Sequence, residues 1–425
     1  MLPVFNQYRK MLNDFNVDLS DYDEDKLWIY RLIIRGFDKN GNDKKILRLK
    51  INDNLEYEYK IYDDAPKNEE LETYEQTYSR MENKIAERER ESIDVIKKSI
   101  KKYKDCSLFV STSMGKDSKL LEHILKKVTT NYRILFNNTT CDSLDVYKEV
   151  LSRPEIEIIT KKDKNGNNLS IYNMFNKYGF PSRQRRWCCS TFKEGAIKEY
   201  LSNENNIIEY LGMRNEESKI RENYQFEKQD DRFNNNWHIF LPIRKWTELE
   251  LWLYTIHNRI PINSKYLKGY SRVGCHIVCP FYTKSTWILD KYWYKQQYER
   301  FRNKLKNDFI NRQLWTVYNC TIEEYLNNWN NGVLRNEPTE EVILEFMKYK
   351  NFDNYQLAKK YFNKYCCNCN KKVNHKNEIA MNLKLFGRNT NNFYCKKCFM
   401  KKMNWTKNQY EQQIEKFKEN ECNLF

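Results

Sequence analysis

The chain has 425 residues and a formal net charge of +16, with 40 % apolar and 15 % aromatic residues. This composition excludes a disordered chain, and the length is enough for two or three domains. No window approaches the roughly 18 consecutive apolar residues of a membrane-spanning helix, and the first residues lack the apolar core of a signal peptide. We therefore expect a cytoplasmic protein with no membrane partner.

The first hundred residues read as an accessory region. Residues 1–67 are predicted to be β-rich, because two apolar, β-prone runs flank the turn sequence "DKNGND" at 38–43. Residues 68–103 are rich in charge with apolar residues at helical spacing, which predicts a long amphipathic helix leading into the core.

From residue 104 to 285, short apolar runs alternate with helical patterns. The predicted strands are "CSLFVST", "YRILFNN", "IEIIT", "NIIEYLG" and "HIFLPI"; the predicted helices cover 116–127, 143–151, 190–201 and 247–258. This alternation predicts an α/β domain with a parallel sheet and helices on both faces. Residues 286–362 are predicted to be helical, and 363–425 to form a Cys-rich zinc module with a C-terminal tail.

The stretch "STSMGKDS" at 111–118 joins a predicted strand to a predicted helix. Backbone N–H groups and the positive helix end meet at such a junction, which favours phosphate binding. Gly115 lets the backbone approach closely, Lys116 adds a charge, Ser113 and Ser118 add hydroxyls, and Asp117 is suited to cap the helix or position a metal ion. An ordinary strand-to-helix turn with a capping residue is the alternative.

Residues 113–118 resemble the S-G-G-x-D-S pyrophosphate loop (PP-loop) of the adenine-nucleotide α-hydrolase superfamily, with Met114 in place of the first glycine. Three further stretches resemble the phosphoadenosine phosphosulfate (PAPS) reductase family: "LFNNTTCDSLDVYKEV", "RQRRWCCSTFK" and "YLGMRNEESKIRENY". A Gly-Cys…Cys-Pro-Phe motif follows, so the resemblance covers roughly 103–281 and implies a PP-loop core.

The resemblance also implies roles for individual residues. The nucleotide-binding residues would be Ser111, Ser113, Gly115, Lys116, Asp117, Ser118, Asn138, Thr139, Gly212, Arg214, Glu217 and Ser218. The substrate side would comprise Arg183, Arg185, Arg186, Trp187 and Lys193. Guanidinium groups suit phosphate and sulfate oxygens, although any single arginine could instead be a surface salt-bridge partner. The catalytic residues would be Lys116, Asp117, Arg214 and Arg221, with Mg²⁺ held by Asp117.

A first cysteine site combines the adjacent pair Cys188-Cys189 with Cys275 and Cys279. Adjacent cysteines rarely bridge each other, so four thiolate ligands explain the set better than disulfides. The resemblance implies a [4Fe–4S] cluster, as in the adenylylsulfate branch of the family. Because the second pair is spaced Cys-x3-Cys and not Cys-x2-Cys, a tetrathiolate zinc site and free buried thiols stay open as alternatives.

A second cysteine site, Cys366-x2-Cys369 with Cys395-x2-Cys398, has the spacing of a structural zinc site. It predicts a zinc ribbon or a treble-clef module. Residues 351–400 contain ten Lys and Arg against two acidic residues. A nucleic acid is one partner that this excess fits, and a solvated basic face is the other interpretation.

Three functions are consistent with these motifs. The first is an ATP pyrophosphatase that cleaves ATP to AMP and pyrophosphate and so activates an acceptor for sulfur transfer, with a sulfur-donor protein as partner. The second is a sulfonucleotide reductase that uses Cys422 of the tail "ENECNLF" as nucleophile and thioredoxin as reductant, unless Cys422 is only a packing residue. The third is a nucleic-acid-binding regulator with a nucleotide-sensing loop.

Overall fold

In the computed structural model, the described residues are 1–425 without 184, 230–236, 332–334, 363, 374, 388–389, 421 and 423; the side chains of 176 and 229 are also not described. The chain divides into two compact units. The first comprises Met1–Tyr178 and Arg186–Tyr298, and the second comprises Gly179–Arg185 and Glu299–Phe425.

The N-terminal part of the first unit is an antiparallel sheet whose strands lie in chain order. They are β1 (Leu2–Pro3), β2 (Trp28–Tyr30), β3 (Ile33–Phe37), β4 (Asp43–Ile51) and β5 (Tyr57–Ile61), with α1 (Asn6–Asp14) after β1. Strands β3 and β4 form the hairpin predicted from "DKNGND", and Gly41 in its turn has φ +80°. A left-handed turn residue of this kind is where glycine is favoured.

Helix α2 (Tyr74–Lys102) connects this sheet to the core. Its start is fixed by a capping box, because the Thr73 side chain accepts a hydrogen bond from the N–H of Gln76 and the Gln76 side chain accepts one from the N–H of Thr73. Ile85 and Ile96 are almost fully buried on one face, so the amphipathic pattern of the sequence corresponds to a packed helix.

The core of the first unit is a second sheet, with the order β10-β11-β9-β6-β7-β8. Its strands are β6 (Ser107–Thr112), β7 (Arg133–Asn138), β8 (Ile156–Thr160), β9 (Ile207–Tyr210), β10 (Glu227–Gln229) and β11 (Trp237–Phe240). All neighbouring strands are parallel except β10, which pairs antiparallel with β11. The predicted α/β fold is confirmed. The sequence did not predict β10, which consists of three polar residues.

Helices follow the strands of this sheet along the chain. They are α3 (Lys116–Lys126), α4 (Leu144–Leu151), α5 (Ile171–Tyr178), α6 (Trp187–Cys189), α7 (Gly195–Tyr200), α8 (Lys219–Glu222), α9 (Glu248–His257), α10 (Ser264–Leu267) and α11 (Lys284–Trp293); a π-helical turn, Ser190–Glu194, joins α6 to α7. Because β6, β7 and β9 are parallel, the segments that follow them meet at one edge of the sheet. The candidate site lies at that edge.

The remaining chain is mainly helical. Its elements are α12 (Lys295–Asn311), α13 (Trp315–Tyr318), α14 (Ile322–Asn328), α15 (Glu340–Lys350), α16 (Tyr355–Lys359), β12 (Lys364–Tyr365), β13 (Lys372–Val373), α17 (Lys376–Phe386), α18 (Lys396–Met403) and α19 (Lys407–Glu419). Strands β12 and β13 form a short antiparallel hairpin. Throughout the described part of the chain, no helix has both the length and the apolar character needed to span a membrane.

Candidate functional site

The loop between β6 and α3 turns tightly through Met114, whose φ is +58°. A left-handed conformation costs a non-glycine residue roughly 1–2 kcal/mol. The Met114 side chain is fully buried in the core, and its N–H donates to Thr112 Oγ1 at 3.1 Å. Burial of this side chain offsets the backbone cost, so methionine makes the turn that glycine makes in the resembling loops.

Gly115 precedes α3 at a point of close approach. A Cβ atom there would lie 3.1 Å from Ser113 Oγ and 3.2 Å from the Tyr266 hydroxyl. Tyr266 accepts a hydrogen bond from the N–H of Lys116 at 2.9 Å. Among the described hydrogen bonds, none uses the N–H groups of Gly115, Asp117 or Ser118. These donors form the anion-binding end of a helix.

Two cations and a carboxylate meet at the first turn of α3. Lys116 Nζ lies 3.1 Å from Asp117 Oδ2, and Arg214 Nε lies 2.5 Å from Asp117 Oδ1. The side chain of Arg214 is only 2 % exposed. The structure therefore brings together three residues that the sequence analysis assigned to catalysis, and all three lie beside the loop.

Two glutamates complete this charged cluster. Glu248 Oε1 lies 3.7 Å from Lys116 Nζ, and Glu248 Oε2 lies 3.7 Å from Arg214 Nη2. Glu216 Oε2 lies 3.0 Å from Arg214 Nη1. Neither glutamate could be assigned to the site from the sequence, because Glu248 is one acidic residue in the first turn of α9 and Glu216 is one in a turn.

The opposite charges in the cluster hold each other in the charged form. Burial alone would lower the pKa of Lys116, but Tyr266, Asp117 and Glu248 outweigh it and hold that pKa above its usual range. Burial would likewise raise the pKa of Asp117, and the charges of Lys116 and Arg214 reverse the shift and lower it. Both groups are therefore charged at neutral pH.

Several predicted nucleotide-binding residues have internal partners. Ser118 Oγ donates to Gly115 O at 3.0 Å, and Ser111 Oγ donates to the buried Glu209 at 2.5 Å. Asn138 Oδ1 accepts from the N–H of Thr140 at 2.9 Å. These contacts shape the loop and the end of β7. The exposed Ser113 hydroxyl is the predicted loop hydroxyl that faces solvent.

The segment after β9 packs against the start of α3. A Cβ atom on Gly212 would lie 2.9 Å from Asp117 O, so only glycine allows this approach. Glu217 Oε2 accepts from the N–H of Arg214 at 3.0 Å and pairs with Arg221. Ser218 Oγ accepts from the N–H of Arg221 at 3.3 Å. These predicted residues hold Arg214 in place, and the Arg221 side chain is about one third exposed.

The residues of the predicted substrate side belong to different units. Arg183 and Arg185 belong to the second unit, where the N–H of Arg183 donates to Asn330 O at 3.2 Å. Arg186 belongs to the first unit, and its guanidinium lies 5.5 Å from the centre of the Phe281 ring. Trp187 packs in the same unit against the ring of Tyr178, with a centroid distance of 5.4 Å.

The first predicted cysteine set lies in the first unit, with Cys188, Cys275 and Cys279 buried and Cys189 half-buried. The adjacent Cys189 thiol, burial, Cys275 and Cys279 all raise the pKa of Cys188. Thiolates are soft donors that suit an iron–sulfur cluster or zinc, so the ligand role of this set stays a prediction.

The Cys-x3-Cys spacing is accommodated by a strained turn. The N–H of Val278 donates to His276 O at 2.6 Å, which closes a γ-turn centred on Ile277. Ile277 has φ +57°, a conformation that β-branched residues rarely adopt. The turn thus accommodates the one residue by which Cys-x3-Cys is longer than Cys-x2-Cys.

A fifth thiol, Cys141, lies beside this set and was missed by the sequence analysis. It is 3 % exposed, and it follows the predicted nucleotide-binding residue Thr139 at the end of β7. Thr139 Oγ1 lies 3.3 Å from Cys141 Sγ and accepts from Cys275 Sγ at 3.8 Å. Cys275 raises the pKa of Lys193, which places this predicted substrate residue near the thiols. The sequence signal for Cys141 was its position in "NNTTCDS", directly after the predicted nucleotide-binding residues at the end of β7.

The second predicted cysteine set forms a compact group in the second unit. The Sγ atoms of Cys366, Cys369, Cys395 and Cys398 all lie within 4.8 Å of one another. The first pair lies in the turn between β12 and β13, and the second pair lies at the start of α18. A group of four thiols of this size suits tetrahedral Zn²⁺. A hairpin pair with a helix pair fits a zinc module, and its ribbon or treble-clef type stays a prediction.

Cys422 lies in the second unit, and its neighbours 421 and 423 are outside the described residues. The N–H of Cys422 donates to Phe417 O at 3.1 Å. Leu424 is buried, and Lys376 Nζ donates to Phe425 O at 2.8 Å. The tail is therefore anchored within its own unit, and a catalytic role for Cys422 stays a prediction.

The central region of the chain matches a known protein family. The family model described as "Phosphoadenosine phosphosulfate reductase domain" matches residues 107–280. An uncharacterized protein of Methanocaldococcus jannaschii is 28 % identical over 287 residues, which is 65 % of this chain and 65 % of that protein. This chain therefore spans less than two thirds of that relative's length.

Two further proteins are similar to part of this chain. Adenosine 5'-phosphosulfate reductase of Bacillus cytotoxicus is 28 % identical over 190 residues, covering 43 % of this chain and 77 % of the reductase. The crystal structure of phosphoadenylyl-sulfate reductase from Candida auris, a phosphate complex, matches with a TM-score of 0.36 and 15 % identity. That match covers 45 % of this chain and 93 % of the solved chain.

Proposed function

We propose, from the premise that residues 107–280 form a phosphoadenosine phosphosulfate reductase domain, that this chain is an ATP pyrophosphatase of that family which activates an acceptor for sulfur transfer. The observation that supports this most directly is the burial of Lys116 at the loop between β6 and α3. A sulfonucleotide has no β- or γ-phosphate for this ammonium group, whereas ATP has both.

The residues around the loop supply charge where cleavage of ATP produces it. The ammonium of Lys116 would bind the β- or γ-phosphate, and the N–H groups of Gly115 and Asp117 would donate to pyrophosphate oxygens. Arg214 would stabilise the α-phosphate, with Arg221 beside it. Catalysis would consist mainly of positioning and charge stabilisation.

The carboxylates around Lys116 and Arg214 have a second role in this proposal. In the structure, Asp117, Glu216 and Glu248 compensate the two buried cations. Phosphate oxygens can replace these partners without leaving a buried cation unpaired. Asp117 is then the carboxylate that would hold Mg²⁺.

The two cysteine sets would have different roles. Cys188, Cys189, Cys275 and Cys279 would hold a [4Fe–4S] cluster, which supplies sulfur-binding or electron-accepting chemistry beside the nucleotide. Cys366, Cys369, Cys395 and Cys398 would hold a structural zinc ion. Lys193 and Arg186 would bind the anionic end of the substrate.

Product analysis tests the proposal. Anaerobically purified protein should convert ATP to AMP and pyrophosphate when the acceptor and a sulfur donor are present. With the acceptor but without the sulfur donor, an adenylate-forming enzyme should exchange labelled pyrophosphate into ATP. Release of ADP and phosphate, or no exchange and no AMP with any acceptor pool, would contradict an α,β-cleavage.

Reduction of a sulfonucleotide is the second candidate. It is supported by the domain match and by the likeness to adenosine 5'-phosphosulfate reductases. In that case the protein should release sulfite from adenylylsulfate or PAPS in the presence of a dithiol. Sulfite release lost in Cys422→Ser would assign the tail thiol, whereas sulfite release retained in that variant would move the nucleophile elsewhere.

A further inference from the structure

Cys141 and Cys275 flank the same hydroxyl group at the carboxyl end of β7. Their sulfur atoms lie 3.3 Å and 3.8 Å from Thr139 Oγ1. Cys141 is 3 % and Cys275 9 % exposed, so Cys275 is the more accessible thiol of the two. The pair lies between a predicted nucleotide-binding residue and the predicted cluster ligands.

The backbone holds the two cysteines side by side. The N–H of His276 donates to Cys141 O at 2.6 Å, so the segment at 141 runs next to the segment at 275–276. A disulfide forms only between cysteines on backbone segments that lie close together. Cys141 and Cys275 meet this condition, because a backbone hydrogen bond joins their segments and both sulfur atoms lie beside one hydroxyl group.

The two thiols differ in their surroundings. Cys275 is 9 % exposed and Cys141 3 %, so a small molecule reaches the Cys275 sulfur first. Cys275 is therefore the attacking cysteine of the pair and Cys141, buried behind it, the resolving one.

The other cysteines of the site have different partners. Cys188 and Cys189 are adjacent and act mainly on each other. Cys279 Sγ accepts a hydrogen bond from Arg272 Nη2 at 3.3 Å. The site therefore contains one thiol more than a four-ligand cluster uses, and that thiol is next to a ligand.

We propose that Cys141 and Cys275 form a redox-active dithiol that a low-molecular-weight disulfide closes to a disulfide bond, withdrawing Cys275 from the metal-binding set. The Cys275 thiolate attacks one sulfur of the small disulfide, which forms a mixed disulfide and releases one thiolate. Cys141 then loses its proton and attacks Cys275 Sγ, which closes the protein disulfide and releases the second thiolate. The two cysteines lose two electrons, and the small disulfide becomes two thiols.

This inference rests on the assignment of Cys275 to the metal centre and not on cleavage of ATP. A cluster and the Cys141–Cys275 bond exclude each other, because both use the same sulfur. Loading of the centre would then depend on the thiol redox state around the protein.

Peptide mapping tests the bond itself. The full chain, freed of metal by an anaerobic chelator, is incubated with oxidised glutathione, alkylated and digested. A reducible peptide pair joining Cys141 to Cys275 is expected by mass spectrometry. Glutathione adducts without this pair, or a link from Cys275 to Cys279 in its place, would overturn the proposal.

Iron uptake tests the consequence. Oxidised wild-type protein should lose most of its capacity to take up iron and sulfide, and a dithiol should restore it. Cys141→Ser, treated identically, should keep that capacity, whereas Cys106→Ser, which changes a half-buried thiol outside the site, should behave as wild type. Equal uptake by oxidised wild type and Cys141→Ser would refute the switch. If Cys141→Ser does not fold, the peptide map of wild type decides alone.

ATP binding measured on the same samples separates this inference from the proposed function. If neither the reduced nor the oxidised protein binds ATP while the Cys141–Cys275 link forms, the ATP assignment is refuted and the dithiol stands. If the protein binds ATP but the link does not form, the dithiol is refuted and the ATP assignment stands.

Discussion

Replacing Lys116 with methionine removes the charge at the loop and keeps most of the side-chain volume. The ammonium lies 3.1 Å from Asp117 and 3.7 Å from Glu248, and the residue is 8 % exposed. If this group binds a β- or γ-phosphate, the variant loses a charge-assisted hydrogen bond of about 1.5–3 kcal/mol.

That energy corresponds to a roughly 10- to 150-fold higher Kd for ATP, since 1.4 kcal/mol is a factor of ten. We expect the lower part of this range, because the ammonium exchanges carboxylate partners for phosphate on binding and does not leave bulk water. The affinity for AMP should not change, because AMP lacks both outer phosphates.

Lys119→Met is the matched control. Lys119 lies on the same helix with 7 % exposure, and its Nζ contacts Glu149 and Pro261 O and not the loop. Calorimetric titration of ATP and AMP into anaerobically purified protein, with melting curves of each variant, measures the effect. Unchanged ATP affinity in Lys116→Met, or an equal loss for AMP, would refute the assignment, and an equal loss in Lys119→Met would point to a folding effect.

Other parts of the structure give three further predictions. Cys398→Ser should lose the one zinc ion per chain and destabilise the second unit. Cys367→Ser should do neither, since the exposed Cys367 is outside the compact thiol group. Equal zinc content of the two variants by mass spectrometry would contradict this. Burial raises the pKa of Asp290 to about 7, so the folded state holds a proton that the unfolded state releases above pH 3.8. As the pH rises from 5 to 7, the free energy of unfolding of wild type should therefore fall, relative to that of Asp290→Asn, by up to about 1.4 kcal/mol per pH unit. The same pH dependence of the unfolding free energy in both proteins would refute this prediction. Lys397 and Lys401 on α18 are exposed. Replacing both with glutamine should reduce the slope of log K for nucleic-acid binding against log salt concentration by about 0.9 for each phosphate that these lysines neutralise. An unchanged slope would exclude α18 from the nucleic-acid interface.

The sequence determined those features that depend on neighbouring residues. The alternation of strand and helix patterns from 104 to 285 predicted the α/β core, because each period reflects one local element. The loop at 113–118 was legible since its residues are contiguous. The zinc group was legible because each Cys-x2-Cys pair brings two thiols together locally, so only two pairs had to meet.

The tertiary structure alone decided which charges and thiols face each other. Glu248 reaches Lys116 and Arg214 because α9 begins beside the edge where β6 and β9 end, and no local pattern records that contact. Cys141 meets Cys275 for the same reason, since the end of β7 and the Cys-x3-Cys turn are distant in sequence. Contacts between distant segments depend on strand order and on helix packing, and neither is written in the spacing of residues along the chain.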